Sequence, residues 1–114
     1  MKDEKIFLQH ILKAVSAIEK YTSEIDEQEF FRNTLVHDAV IRQFEIIGEA
    51  AKNLSQKSRQ EMAEVQWPAV AGMRNKLIHE YFGVDLIIVW NTTKEYLPIL
   101  KKAIKRYLKQ YPPT

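Results

Sequence analysis

The residues best suited to chemistry lie in one short stretch, Met73–Tyr81, which contains an arginine, a histidine and a tyrosine. Arg74 carries a permanent positive charge on a planar guanidinium, a shape that grips a phosphate group with two parallel hydrogen bonds. His79 carries the side chain that can accept or release a proton near neutral pH. These two groups together would be sufficient to cleave RNA without a metal ion, because RNA carries its own nucleophile, the 2′-hydroxyl.

In such a reaction His79 would act as the general base that removes the proton of the 2′-hydroxyl. The oxygen would attack phosphorus, and Arg74 would stabilise the negative charge that grows on the phosphoryl oxygens. One fragment would end in a 2′,3′-cyclic phosphate and the other would begin with a 5′-hydroxyl. The histidines and carboxylates do not show a metal-ligand spacing, so we expect neither a metal nor another cofactor.

The spacing of these residues bears on whether one helix can bring them together. Arg74 and His79 are five residues apart, which places them about 140° apart on an ideal helix. Tyr81 is seven residues after Arg74 and therefore lies on nearly the same face. The arginine and histidine can converge if the arginine stem swings, if the helix distorts, or if two copies of the helix meet across a two-fold axis. The last arrangement predicts a homodimer with a shared cleft.

The elements that must position these residues are predicted to be helices throughout. The 114 residues include only 3 glycines and 4 prolines, and the apolar residues recur at helical spacing almost everywhere. A chain of this length is expected to form one domain, residues 1–114. We therefore expect an all-α fold, an up-down bundle of four main helices with a possible short helix.

Apolar stripes define the first two of these helices. The first stripe consists of Phe7, Ile11, Ala14, Ile18 and Tyr21. The second helix is predicted to run unbroken from about Phe30 to Leu54. Besides its main stripe it has a second apolar face, made of Phe31, Leu35, Ile46 and Ala50. A helix that is apolar on two sides needs two partners, and the second partner could be another copy of the chain.

The remaining helices are predicted from their boundary residues. Trp67–Pro68 should open the third main helix and Gly83 should close it. Asp85 is suited to cap the last helix, in which Pro98 should cause a bend. The polar stretch between the second and third helices, Ser55–Glu64, has room for one short helical turn.

Composition restricts the cellular setting. The chain has no cysteine, which excludes disulfides and thiolate metal sites. Its N-terminus lacks the apolar run of a signal peptide, and no window is long and apolar enough to span a bilayer. We therefore expect a cytoplasmic protein without a membrane partner. A net charge of +2 permits an RNA substrate held at a few points but is low for a protein that coats duplex DNA.

A basic cluster lies near the C-terminus and consists of Lys101, Lys102, Lys105, Arg106 and Lys109. It could be a track for RNA or a docking patch for a protein partner. It could equally be a solvated helix end, since cations are favoured at helix C-termini.

The stretch Arg74–Tyr81 resembles the R-x4-H-x-Y signature of HEPN-domain ribonucleases, in which a polar residue, here Asn75, follows the arginine. Two further stretches, Ile41–Ala50 and Trp67–Met73, resemble the second-helix signature and the lead-in to the motif in the HepT group of that family. The resemblance covers the chain from about Phe7 to Tyr107.

This resemblance implies a HEPN-like helical fold and a homodimeric, metal-independent endoribonuclease toxin, with Arg74 and His79 as catalytic residues and Asn75 in support. It also implies a toxin–antitoxin module, in which a minimal nucleotidyltransferase (the MNT-type antitoxin) silences the toxin by transferring AMP to Tyr81. The added phosphate would occupy the arginine and repel RNA. The alternative is a non-catalytic helical module that binds RNA, a nucleotide or a partner protein.

Overall fold

A computed structural model describes residues 4–79 and 86–113, and of residues 74–79 it describes the backbone only. The helices are α1 (Lys5–Thr22), α2 (Glu27–Arg32), α3 (Thr34–Ala51), α4 (Gln56–Glu61), α5 (Trp67–His79), α6 (Leu86–Asn91) and α7 (Leu97–Gln110). A π-helical segment, Thr92–Tyr96, joins α6 to α7. The described residues contain no strand, and α1, α3, α5 and α7 are the long helices, so the predicted all-α fold with four main helices is confirmed.

Helix α3 lies at the centre of the fold. Helices α1 and α5 both pack against it, and α7 packs against α1. The largest fully buried side chains come from several helices and include Leu8, Ile11, Ile18, Phe30, Phe44, Ile47 and Ile104. The first predicted stripe is buried as expected except at its ends, since Phe7 is only partly buried and Tyr21 is 37% exposed. No helix in the described ranges is both long and apolar enough to cross a membrane.

The prediction of one unbroken helix from Phe30 to Leu54 is wrong, because the chain breaks at Asn33. The backbone of Asn33 is extended, with φ −96° and ψ 90°, so it cannot continue α2. Its side-chain oxygen instead accepts a hydrogen bond from the N–H of Val36 at 3.1 Å and caps α3. Apolar periodicity does not reveal this break, because both helices bury residues in the same core.

Two further predictions, the short helix after α3 and the start of the third main helix, are confirmed, whereas α3 ends at Ala51 and not at the predicted Leu54. The polar stretch after α3 contains the short helix α4, which Ser55 caps by accepting a hydrogen bond from the N–H of Ser58. Helix α5 begins at Trp67 as predicted. Gly83 and Asp85, the predicted end of α5 and cap of the last helix, lie outside the described residues.

The irregularity expected at Pro98 takes the form of the π-helical segment directly before it. The N–H of Leu97 donates to the carbonyl oxygen of Thr92, five residues back instead of four. Proline lacks an N–H, and its ring would clash with the carbonyl four residues earlier in a regular α-helix. The structure thus shows a change of helix type directly before Pro98, and the bend itself stays a prediction.

Candidate functional site

Helix α5 carries three of the four predicted site residues, Arg74, Asn75 and His79, in its second half. Its backbone is helical up to His79, which confirms the element on which the predicted spacing depends. Tyr81 lies outside the described residues. The convergence of Arg74 and His79, which depends on their side chains, stays a prediction.

The start of α5 is anchored by a buried tryptophan. Trp67 is only 3% exposed, and its indole N–H donates to the carbonyl oxygen of Met62 at 3.0 Å. The backbone N–H of Trp67 also donates to the carbonyl oxygen of Val65, at 3.0 Å. Because a helix rises about 1.5 Å per residue, this anchor sets the axial position of Arg74 about 10 Å further along.

The inner face of α5 borders an apolar cavity of about 400 Å³. Val70 and Met73 line it from α5, Phe44 and Ile47 from α3, and the remaining wall comes from the α4–α5 connection and from residues 92–100, including Tyr96, Leu97 and Leu100. The cavity therefore extends to Met73, the residue immediately before Arg74. Helix α7 thus begins beside the helix that carries the motif.

The outer face of α5 is exposed to solvent at the residues whose side chains the structure describes. Pro68 and Gly72 are exposed, and a methyl group added at Gly72 would meet no atom of another described element within 4 Å. Position 79 is seven residues after Gly72 and so lies on nearly the same face of the helix. The helix face that carries His79 is therefore open at Gly72.

The second apolar face predicted for α3 is only partly confirmed. Ala50 is buried, and Ile46 and Phe31 are partly buried against the core of the same chain. Leu35, by contrast, is 82% exposed at the start of α3. Most of this face is therefore buried within the chain, and Leu35 is the residue of the face that the described fold leaves exposed.

His37 is a histidine outside the motif that the fold places at the edge of the core. Its ring packs edge-on against Phe30, with ring centres 6.0 Å apart, and its side chain is 15% exposed. Its Nδ1 lies 3.3 Å from Asp38 but forms no hydrogen bond with any described residue. No group of three His, Cys, Asp or Glu side chains in the described part of the chain could hold a metal ion.

A polar contact at the wall of the cavity, where Glu64 lies, ties α7 to the connection before α5. Arg106 pairs with the carboxylate of Glu64, and its guanidinium also donates to the carbonyl oxygen of Glu61 at 2.8 Å. The hydrogen bond from Arg106 holds the pKa of the Glu64 carboxyl below its usual value. Glu61 in turn accepts a hydrogen bond from the Tyr111 hydroxyl, which raises the pKa of that phenol.

Comparisons with known proteins point to one family. The family model described as "Ribonuclease HepT-like" matches residues 11–107. A protein of Thermococcus cleftensis named "Probable ribonuclease HepT" is 41% identical over 108 residues, which are 95% of this chain and 98% of the relative. A "Putative RNase" of Methanocaldococcus jannaschii is 40% identical over 104 residues, which are 91% of this chain and 95% of the relative.

A second relative from Methanocaldococcus jannaschii is longer. It is named "Gamma-glutamylcyclotransferase and putative RNase" and is 44% identical over 109 residues. The match covers 96% of this chain but only 49% of the relative, so the chain spans about half of that protein. No solved structure gave a significant match.

Proposed function

The chain belongs to the HepT-like ribonuclease family, and on that premise we propose that it is a metal-independent endoribonuclease toxin that works as a homodimer. The observation that carries this proposal is the R-x4-H spacing of Arg74 and His79 on α5, within a family match over residues 11–107. We assign catalysis to Arg74 and His79 and a supporting role to Asn75. We also propose that residues 1–114 form one HEPN-like domain, since the buried residues form a single cluster.

In this mechanism neutral His79 takes the proton of the 2′-hydroxyl as that oxygen attacks the adjacent phosphorus. The bond from phosphorus to the 5′-oxygen breaks, which leaves a 2′,3′-cyclic phosphate and a 5′-hydroxyl. Arg74 stabilises the extra negative charge on the phosphoryl oxygens through its paired N–H donors. The nucleophile belongs to the substrate, so the protein has to supply only the base and the cation.

The helical backbone of α5 supports the homodimer. Positions 74 and 79 diverge by about 140° on one helix, which makes it difficult for one copy to direct both groups at the same phosphate. Two copies related by a two-fold axis supply both groups twice to a shared cleft. The uncovered outer face of α5 at Gly72 leaves room for this approach.

We further propose that Tyr81 is the site at which a partner nucleotidyltransferase silences the toxin, in the cytoplasm where both would meet RNA. The phenol oxygen would attack the α-phosphorus of ATP, lose its proton and release pyrophosphate. Position 81 is seven residues after Arg74, so a continued helix would place the new phosphate on the arginine's face. There it would neutralise the guanidinium and repel RNA.

The catalytic assignment predicts that His79→Ala and Arg74→Ala each lower the cleavage rate by about 10²-fold or more, because one removes the base and the other the phosphate cation. The measurement is cleavage of an all-RNA oligonucleotide in the presence of EDTA. The product should carry a 2′,3′-cyclic phosphate, and a substrate with a 2′-deoxy sugar at the scissile position should stay intact.

His10 offers a matched control for this experiment. It is an exposed histidine on α1, outside the motif, so His10→Ala should cleave at the wild-type rate. Helical content of all variants is checked by circular dichroism. A folded His79→Ala protein that cleaves as fast as wild type contradicts the assignment, and a wild-type protein that binds RNA without cleaving it supports the non-catalytic alternative.

The Tyr81 assignment predicts that co-expression with the partner nucleotidyltransferase adds the mass of AMP to a peptide containing Tyr81. Tyr81→Phe should prevent this modification, because the phenol oxygen is the nucleophile. Tyr96 serves as the control, since it is an exposed tyrosine outside the motif, and Tyr96→Phe should still be modified. Mass spectrometry of both variants measures whether AMP is attached. AMP found on the Tyr81→Phe protein would refute the assignment.

A further inference from the structure

Helix α7 concentrates positive charge that the net charge of the chain conceals. It contains five of the 17 lysines and arginines and none of the 15 aspartates and glutamates. The rest of the chain therefore has 12 basic residues against 15 acidic ones and is net negative. A value of +2 for the whole chain is thus the sum of a strongly basic helix and an acidic remainder.

Two of these five cations have partners within the fold. The Nζ of Lys101 lies 3.0 Å from the carboxylate of Glu19 and ties α7 to α1. Arg106 pairs with Glu64 and ties α7 to the α4–α5 connection. These two residues flank the outward side of α7, and their charges are used to attach the helix.

The other three cations, Lys102, Lys105 and Lys109, are exposed and form no salt bridge in the part of the chain that the structure describes. We call these three residues the lysine stripe. Their spacing of three and four places them along one face, opposite the buried residues Leu100, Ala103, Ile104 and Tyr107. The stripe is about 10 Å long at 1.5 Å of rise per residue.

Folding alone does not account for the lysine stripe. The pairs Lys102–Lys105 and Lys105–Lys109 are like charges three and four residues apart, and each such pair destabilises a helix. The negative end of the helix dipole favours a cation in the last turn, where only Lys109 lies. Helix α7 has no glutamate to alternate with these lysines, and no acidic residue of the described part of the chain pairs with them.

We propose that the lysine stripe binds the sugar–phosphate backbone of the RNA substrate outside the cleavage site. The identity of this polyanion rests on the proposed ribonuclease function. Leu100, two residues before Lys102, lines the same cavity as Met73, which directly precedes Arg74. The first turn of α7 therefore lies near the helix that carries the motif. The stripe is on the opposite, solvent-facing side of α7, where it can hold nucleotides further along the strand than the scissile bond.

The character of the stripe favours RNA over an acidic protein. The centre of a protein–protein interface is usually apolar and depleted in lysine. The stripe is flanked by the exposed polar residue Gln110 and by the paired cations Lys101 and Arg106, and Ile99, one turn before Lys102, is the one large apolar side chain exposed on the described α7. A row of ammonium groups without apolar residues between them is suited to a regularly charged backbone, whose binding is driven by release of counterions.

The test compares wild type with the stripe variant, Lys102→Gln/Lys105→Gln/Lys109→Gln, which keeps most of each aliphatic stem. The probe is a fluorescent 2′-O-methyl RNA, which has no free 2′-hydroxyl and cannot be cut by the proposed chemistry, so binding is measured separately from cleavage. We expect affinity to fall about tenfold to a hundredfold at 0.1 M salt. The slope of log Kd against log salt concentration should decrease by about 2, from three lost phosphate contacts.

The matched control removes the same charge elsewhere. Lys13, Lys20 and Lys52 are exposed lysines on α1 and at the end of α3, and Lys13→Gln/Lys20→Gln/Lys52→Gln should keep the wild-type salt slope. With a cleavable RNA, the stripe variant should show a raised KM and an unchanged kcat, because the stripe does not touch the reacting atoms.

Three results would overturn the proposal. The first is a stripe variant with wild-type affinity and salt slope, and the second is an equal loss in both triple variants, which would reflect net charge alone. The third is unchanged RNA binding with loss of a co-purifying protein partner, which would make the stripe a protein-docking surface. Wild-type protein that binds the probe through the stripe but never cuts RNA would refute the ribonuclease function and support the RNA-binding role of the stripe.

Discussion

Gly72 is a glycine inside α5 for which packing in the described fold gives no reason. A glycine inside a helix is less stable than alanine by roughly 0.5–1 kcal/mol, because it loses more backbone freedom on folding. Close packing usually explains such a glycine, but at Gly72 an added methyl group would meet no other element of the described fold within 4 Å. The site is two residues before Arg74 and seven before His79, so the uncovered position belongs to the motif helix.

We therefore predict that Gly72→Ala raises the free energy of unfolding by about 0.5–1 kcal/mol, through the gain in helix propensity. Urea denaturation at a protein concentration low enough to keep the chain monomeric measures this change. A decrease in the free energy of unfolding would mean that another group covers position 72 in solution.

At the scale of elements, the break between α2 and α3 depends on the Asn33 side chain. It caps α3, and the backbone N–H of the same residue donates to the carbonyl oxygen of Glu29 at 2.9 Å, which closes α2. One residue thus ends one helix and begins the next, and turns α2 toward α6, where Phe30 meets Trp90 with ring centres 5.2 Å apart. The sequence offered an asparagine at this point, but asparagine is also tolerated inside helices.

The cap predicts that Asn33→Ala lowers the free energy of unfolding by about 1 kcal/mol, because the N–H of Val36 loses its acceptor. Asn53→Ala is the control. Asn53 also hydrogen-bonds the backbone, donating to the carbonyl oxygen of Glu49 at 3.0 Å, but it is exposed after the end of α3 and caps no helix start. Chemical denaturation should give the larger loss for Asn33→Ala, and equal losses would contradict the capping role.

At the scale of the whole molecule, polar contacts between residues far apart in sequence attach α7 to the rest of the fold. Lys101 reaches Glu19 on α1, and Arg106 reaches Glu64 before α5. The hydroxyls of Ser58 and Tyr107 form a buried hydrogen bond of 3.0 Å between α4 and α7. These contacts attach α7 to α1, to α4 and to the connection that leads into α5.

The Arg106–Glu64 contact predicts a dependence of stability on pH. Its hydrogen bond lowers the pKa of Glu64 in the folded chain, so folding favours the ionised carboxylate. The stabilisation is present above the ordinary glutamate pKa of 4.5 and is lost as the pH falls through the lower folded value. Glu64→Gln should therefore be less stable than wild type at pH 7, and the difference should shrink as the pH falls below 4.5.

Thermal unfolding of both proteins across this pH range measures the effect. Glu24→Gln is the control, since Glu24 is an exposed carboxylate that makes no salt bridge in the described part of the chain, and it should track wild type. A difference between Glu64→Gln and wild type that stayed constant down to strongly acidic pH would show that the carboxylate charge is not the cause.

Much of the fold followed from local sequence. The apolar stripe of α1, the start of α5 at Trp67–Pro68 and the short helix α4 were all predicted, because helix propensity, capping and periodicity act within about four residues. Pro98 predicted a bend in the last helix but not the π-helical segment that directly precedes it, because a proline does not specify the helix type of the residues before it. The assignment of Arg74, Asn75, His79 and Tyr81 came from sequence and family resemblance, and it stays a prediction.

The motif spacing, the helical class and the surplus of positive charge near the C-terminus are properties of the sequence by itself. Only the tertiary structure decided that the chain breaks at Asn33, that the outer side of α5 is open at Gly72, and which cations of α7 are paired. For the paired cations the physical reason is distance along the chain. Lys101 and Glu19 are 82 residues apart, and Arg106 and Glu64 are 42 apart, so no local pattern records either pair. Packing brings them together and leaves the lysine stripe without a partner in the described fold.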